Sequence, residues 1–364
     1  MFRLQPPLPD DYSTATADDL VQRVTTARSR LGDRLVILGH HYQREEVIQF
    51  ADMRGDSFGL SRYAAEQREA EFVVFCGVHF MAESADILTG PHQQVILPDL
   101  NAGCSMADMA DLDGVEQIWD ELSEVTDLEA IVPITYMNSA ASLKAFVGRH
   151  SGAVCTSSNA RSVLTWALEH GRKVLFFPDQ HLGRNTGFQL GYGASDMQVV
   201  DPRRRLGGLE DAAVKEATLL LWKGHCSVHQ RFRTEHVETF RAEHPGGIVI
   251  VHPECSREIV EIADQVGSTD YIIGAVAAAP AGSTIAVGTE IHLVDRLARQ
   301  HPDRRILSLD PVVCPCSTMF RIDLPHLAWV LDGLLAGEVR NRIVVDEATA
   351  KDARVALERM LAIA

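Results

Sequence analysis

The stretch "RLVILGHHY", Arg34–Tyr42, is a short apolar run that ends on polar side chains, and the chain carries two counterparts of it. These are "AIVPITYMN", Ala130–Asn138, and "GIVIVHPE", Gly247–Glu254. Each reads as a buried strand whose carboxyl end bears a polar pair at i, i+2 spacing: His40 with Tyr42, Tyr136 with Asn138, and His252 with Glu254. Residues two apart on an extended chain point the same way. Each strand is followed by a small-polar cluster, "RGDSF" with Ser57, "CTSSN" with Ser157 and "GSTDY" with Ser268 and Thr269, and then by a second apolar run, "FVVFCG", "KVLFFP" or "TIAVG". The steps from Ser57 to Gly77, Ser157 to Pro178 and Ser268 to Gly288 are 20, 21 and 20 residues. Apolar runs alternating with helical patterns signal βαβ units and parallel sheets. The fold class is therefore α/β, as a threefold internal repeat of small doubly wound domains. Polar joints at "SEVTDLEA" and "RAEHPGG" place the domains at 1–125, 126–244 and 245–364. Ahead of the first repeat, "TADDLVQRVTTARSRLGD" reads as a helix capped by Thr16, with Leu20, Val24, Ala27 and Leu31 on one stripe.

A third apolar run in each repeat leads to cysteine. "QVILPDLNAGC" reaches Cys104, "LLLWKGHC" reaches Cys226, and "RILSLDPVVCPC" reaches Cys314 and Cys316. Functional loops lie at the carboxyl ends of parallel strands. Three repeats facing a common axis would bring one cysteine each to it, and three thiolates on a [4Fe–4S] cluster leave one iron open as a Lewis acid. Taken singly, a cysteine is more often a small buried hydrophobe; Cys76, Cys155 and Cys255, elsewhere in the repeat, keep that reading. Cys226 and His229 also form a C-x₂-H pair, half of a zinc site without a second half nearby. Asp99 precedes Cys104 by five residues, whereas Asp310 precedes Cys314 by four and Cys316 by six, so spacing does not choose between the last two. Pro315 restricts Cys314 to extended conformations, which favours Cys316.

Composition narrows the function. The chain has 364 residues, 46% hydrophobic and 23% charged, with a formal charge of −16. That charge disfavours nucleic acid, whose phosphates reward basic surfaces. No apolar run approaches the ~20 residues that span a bilayer. The opening "MFRLQPPLPDDYSTATADDL" lacks the apolar core of a signal peptide. Seven scattered cysteines do not suit a disulfide framework. A cytoplasmic protein acting on small anions is expected. Ser57, Ser157, Ser268 and Thr269 read as helix N-caps, and helix starts bind carboxylate or phosphate. No Walker A loop occurs, nor any G-x-G-x-x-G after a strand. Histidine, tyrosine and glutamate at the strand ends are suited to moving protons.

The ordered set "GHHYQREEVIQFADMRGDSFGLSR", "GVHFMAE", "YMNSAASLKA", "VCTSSNA", "GHCSVHQRF", "VHPEC", "VGST" and "VGTEIHL" resembles quinolinate synthase, over about Leu35 to Leu331. "CPCSTMFRIDLPHLAWVL" resembles its actinobacterial branch. The resemblance implies three pseudo-threefold related αβα domains around a central active site. It implies a transferase-type enzyme of NAD biosynthesis that condenses iminoaspartate with dihydroxyacetone phosphate into quinolinate, phosphate and water. The implied cofactor is one [4Fe–4S] cluster on Cys104, Cys226 and Cys316, the last chosen by the trailing x-x-Met. The implied iminoaspartate-binding residues are His40, Ser57, Tyr136, Asn138, Ser157, His252, Glu254 and Thr269, with Ser268 beside the last. His40, Tyr42, Tyr136, His229 and Glu254 are the candidate acids and bases. Aspartate oxidase, the producer of iminoaspartate, is a candidate partner. Cys314 departs from many relatives. Two rivals stand beside this reading, a zinc-dependent hydrolase of a phosphorylated metabolite and an iron–sulfur redox sensor.

Overall fold

The computed structural model describes residues 5–312 and 315–363, so Cys314 lies outside the described residues. The strands of the first sheet are β1 (Leu35–His40), β2 (Met53–Gly55), β3 (Phe72–Cys76) and β4 (Gln94–Ile96). Those of the second are β5 (Ile131–Tyr136), β6 (Ala153–Cys155), β7 (Lys173–Phe177), β8 (Met197–Val200) and β9 (Leu219–Trp222). The third has β10 (Ile248–Val251), β11 (Gln265–Val266), β12 (Thr284–Gly288) and β13 (Arg305–Ser308), and β14 (Arg342–Ile343) ends the series. The sheet orders are β14-β4-β3-β1-β2, β6-β5-β7-β9-β8 and β11-β10-β12-β13. One parallel core, β2-β1-β3-β4, thus recurs as β6-β5-β7-β9 and β11-β10-β12-β13, giving three αβα domains of one topology. The strands are runs of Val, Ile, Leu and Phe because helices cover both faces of a parallel sheet; every residue of β3, β5 and β7 is buried.

Beyond the three strands that the sequence pattern predicts in each domain, every domain gains a short edge strand, and the first and second sheets gain one more each, β14 and β8. The extra edge strands β2, β6 and β11 have only two or three residues, too few to show a period. Each stops two residues before Ser57, Ser157 or Ser268, and so sets where those polar clusters begin. The N-terminal helix runs Ala17–Leu31; Thr16 accepts the Asp19 N–H at 3.2 Å, and Leu20, Val24, Ala27 and Leu31 are buried.

The chain divides into two compact units, Met1–Cys104 with Pro315–Asp346, and Ser105–Cys314 with Glu347–Ala364. This differs from the expected 1–125, 126–244 and 245–364. The helix Leu112–Ser123 belongs with the second sheet, because Trp119 packs edge-on against Phe146 with ring centroids 5.5 Å apart. The last fifty residues, from Pro315 on, are shared out rather than kept by the third repeat. The helix Leu324–Leu335 packs on Ala17–Leu31, and β14 pairs antiparallel with β4, both in the first unit. The helix Glu347–Ile363 lies on Ala141–Arg149 and β6 in the second. Gly148 permits that approach, since a Cβ there would sit 2.0 Å from the Asp352 carbonyl oxygen. Among the described residues no helix is long and apolar enough to cross a membrane.

Candidate active site

Three cysteines share one local frame. Three residues after Cys104, Cys226 and Cys316 a short 3₁₀ turn begins: Ala107–Met109, His229–Arg231 and Met319–Arg321. In each, the fifth residue after the cysteine donates its N–H to the carbonyl of the second, at 3.1 Å for Met109, 3.2 Å for Arg231 and 3.2 Å for Arg321. The N-caps Asp111, Arg233 and Asp323 follow at the seventh position, and the helices Leu112–Ser123, Thr234–Glu243 and Leu324–Leu335 start at the eighth. Counted from Cys314, the last set of offsets would be two larger and match neither of the others. All three cysteines are half-buried, whereas Cys76, Cys155 and Cys255 have no exposed surface. Burial raises the Cys76 thiol to about 12 and holds those of Cys155 and Cys255 well above the usual value. Those three are packing groups; the half-buried three have the accessibility that a thiolate ligand needs.

In the second unit, strand ends from two sheets bring four predicted residues together. Tyr136 closes β5 and donates its hydroxyl to Glu254 Oε1 at 2.6 Å. Glu254 Oε2 lies 2.8 Å from His229 Nδ1, and His229 Nε2 lies 3.2 Å from Thr289 Oγ1. The His229 and His252 rings stack at 4.5 Å. All four predicted residues are buried. Burial pushes the Glu254 carboxyl up, but His229 and His252, with hydrogen bonds from His229 and Tyr136, more than offset that and leave it at about 2. Burial lowers His252 to about 3, so it stays neutral. Ligand atoms of Cys226, His229 and Glu254 lie within 4.8 Å of one another. An ionised carboxylate, a phenol and an imidazole in contact form a path along which a proton can be held or passed.

The remaining predicted residues occupy strand and helix ends. In the first unit, buried His40 closes β1; its Nδ1 accepts the Tyr42 N–H at 3.1 Å, and the half-buried Tyr42 packs edge-on at 4.7 Å. The helix Ser57–Glu66 is capped by Asp56, whose Oδ1 takes the Gly59 N–H at 2.8 Å, so Ser57 is its first helical residue rather than the cap. Ser157 is not a cap either: the helix Ala160–His170 begins after Asn159. Ser268 does cap its helix, accepting the Tyr271 N–H at 3.3 Å, and Thr269 takes the position that Ser57 holds in the first repeat. Asn138 is half-buried beyond β5.

Five residues passed over in the sequence support this arrangement. Thr289 faces His229, as above. Lys144 is fully buried and donates to the carbonyl oxygens of Met137, at 2.9 Å, and Ser139, which fixes the loop holding Asn138. Asn185 donates to the carbonyls of Pro253 and Cys255, each at 2.9 Å, and so clamps the loop of Glu254. Asp179 caps Gln180–Gln189 through Leu182 N–H at 2.6 Å; burial and the Glu254 charge hold its carboxyl well above the usual range. Gly224 allows the Cys226 segment to meet this corner, since a Cβ there would lie 2.1 Å from the Pro178 carbonyl oxygen. A charged residue on an otherwise apolar helix face, as in "SLKAFV", was the available signal for Lys144.

Comparison with known proteins gives a concordant result. The family model described as Quinolinate synthetase A protein matches residues 22–362. The chain is 57% identical over 356 residues to Quinolinate synthase of Corynebacterium glutamicum, covering 98% of this chain and 90% of the relative. It is 56% identical over 358 residues to that of Streptomyces coelicolor, covering 98% and 91%. With Quinolinate synthase of a Geobacillus species it shares 53% identity over 358 residues, covering 98% and 97%.

Proposed function

The chain belongs to the quinolinate synthase family, and from that premise we propose that it condenses iminoaspartate with dihydroxyacetone phosphate to give quinolinate, phosphate and water. The observation that carries the chemical reading is the Glu254 carboxylate, buried and ionised, bonded to both Tyr136 and His229 beside Cys226. The reaction needs several protons moved but no net electrons. A buried carboxylate bonded to a phenol and an imidazole suits that task.

The half-buried thiols of Cys104, Cys226 and Cys316, alike in local frame, fit a three-cysteine [4Fe–4S] cluster, and we assign them as its ligands. When bound, the cluster supplies a Lewis-acidic iron for a substrate oxygen or nitrogen. The chain's own residues do the rest. Tyr136 and Asn138 follow one strand, His252 and Glu254 another, and their polar atoms would orient the carboxylates of iminoaspartate. Ser57 and Thr269, each first in a helix, would place a hydroxyl and helix-start N–H groups against an anion. His40, Tyr42 and Ser157 complete the proposed binding set. Tyr136 would give up the proton it now donates to Glu254, and a proton from His229 would return to it through the Glu254 carboxylate that bonds both. Aspartate oxidase is the proposed supplier of iminoaspartate, and the cytoplasm the proposed location.

A second reading rests on the proximity of Cys226, His229 and Glu254, a donor set that also suits zinc and hydrolysis. One experiment separates the two. Protein purified and reconstituted without oxygen is assayed for quinolinate, with iron and zinc counted and no external electron donor added. Brown protein with about four irons that forms quinolinate supports the proposal. Colourless zinc protein without that activity defeats it.

A further inference from the structure

The segments that carry the cysteines are tied to one another in a fixed order. Asp99 lies five residues before Cys104, and its Oδ2 accepts the Nε–H of Arg321, five residues after Cys316, at 2.9 Å. Asp310 lies six residues before Cys316, and its Oδ2 accepts from Arg231, five residues after Cys226, at 3.1 Å from Nε and 2.9 Å from Nη2. The third tie uses other chemistry at the same offset. Met109, five residues after Cys104, takes the buried Trp222 indole N–H on its carbonyl at 2.7 Å and the His225 N–H on its sulfur at 3.3 Å, just before Cys226.

Arginine–aspartate pairs in water are worth little, but these aspartates are not in water. Their side chains are 1% and 7% exposed, against 42% and 38% for Arg321 and Arg231. Each aspartate also braces its own segment. Asp99 Oδ1 accepts the Asn101 N–H and Asp310 Oδ1 the Val312 N–H, both at 2.8 Å. Arginine therefore compensates a buried charge that shapes the approach to the next cysteine, and loss of the arginine removes the closest cation of that charge.

We propose that Arg231, Arg321 and Met109 are positioning residues, each latching the segment of the cysteine in the next repeat: Cys226 to Cys316, Cys316 to Cys104, and Cys104 to Cys226. The proposal rests on the three-cysteine ligand assignment above. Its consequence is that weakening a latch loosens the following cysteine rather than the one beside the substituted residue.

The test has two arms. In the first, cluster-loaded wild type, Arg231→Gln and Arg321→Gln are held anaerobically with excess ferrous chelator while the brown absorbance decays. Loss about tenfold faster in both variants is expected for one charge-assisted bond. Partial recovery is expected in Arg231→Lys, which keeps the charge but not the fork. Arg241→Gln, which breaks the exposed Arg241–Asp264 pair, is the control and should match wild type. In the second arm, metal-free proteins are labelled with iodoacetamide and each cysteine is followed by mass spectrometry. Arg231→Gln should speed labelling of Cys316 and Arg321→Gln that of Cys104, with Cys226 unchanged in both. Chelator decay equal to wild type in both variants, or faster labelling of the neighbouring cysteine, overturns the latch. A wild type that loads no iron defeats the ligand assignment instead, and the labelling arm still decides the latch.

Discussion

Replacing Glu254 by glutamine removes one negative charge and changes little else in shape. The carboxylate is 3% exposed and accepts from Tyr136 at 2.6 Å and His229 at 2.8 Å. Glutamine can still accept the tyrosine proton, but it then turns an N–H₂ group toward His229 Nδ1. The imidazole must move its proton to Nε2, where Thr289 Oγ1 stands at 3.2 Å. A hydrogen bond to a charged group contributes about 1.5–3 kcal/mol, or about ten- to 150-fold in rate if it is lost only in the transition state. Two such bonds meet on this carboxylate, so kcat for quinolinate formation is expected to fall by about 10²–10³. Tyr136→Phe breaks one of them and should sit at the lower end. Iron content and turnover are measured on the same anaerobic preparation, because neither residue is an assigned ligand. Full iron with turnover within about threefold of wild type in both variants would refute the reasoning.

Further expectations concern the metal, acidity and a buried amine. Cys104→Ser, Cys226→Ser and Cys316→Ser should each hold little iron after reconstitution, while Cys314→Ser and the packing variant Cys76→Ser hold a full complement; the opposite pattern at 314 and 316 would move the ligand. His252 is held at about 3, far below its ordinary 6.5. A depressed value means the unfolded chain binds the extra proton first, so the neutral ring's stabilisation is complete above about pH 6.5. It then drains by up to roughly 1.4 kcal/mol per pH unit as pH falls toward 3. Urea midpoints of His252→Asn should therefore fall less steeply than wild type between about pH 6.5 and 4.5, and parallel slopes would sink the idea. Lys144→Met should raise KM for iminoaspartate about tenfold with the cluster intact, since the loop of Asn138 loses its ammonium clamp; an unchanged KM would return Lys144 to a packing role.

What could be read in advance depended on the range of the interactions involved. The three-domain α/β plan was legible because buried parallel strands impose near-continuous apolar runs and the repeats share one spacing. The edge strands of two or three residues were not, since pairing there is decided by the neighbouring strand rather than by local composition. The division into two compact units was not legible for a related reason. Trp119 and the helix Glu347–Ile363 carry ordinary amphipathic patterns that do not say which sheet they cover. The ends of β5 and β10 announced Tyr136 and Glu254 as side chains sharing a direction, but not that they touch. Capping preference was right for Ser268 and wrong for Ser57, where Asp56, an equally good cap one residue earlier, takes the role. The offsets that tie Arg231 and Arg321 to Cys226 and Cys316 stood in the sequence throughout, and only the buried aspartates give them meaning.

The antiparallel seam between β4 and β14 also bears on biosynthesis. Arg342 pairs with Ile96, so the N-terminal sheet receives its last strand only after a further 246 residues have been made. At ~5–20 residues per second, that strand follows its partner by roughly ten to fifty seconds. Throughout that interval the nascent chain presents the apolar edge Gln94–Ile96 with its backbone groups open to pairing with another polypeptide. Release of a prematurely stopped chain would leave the edge uncovered for good.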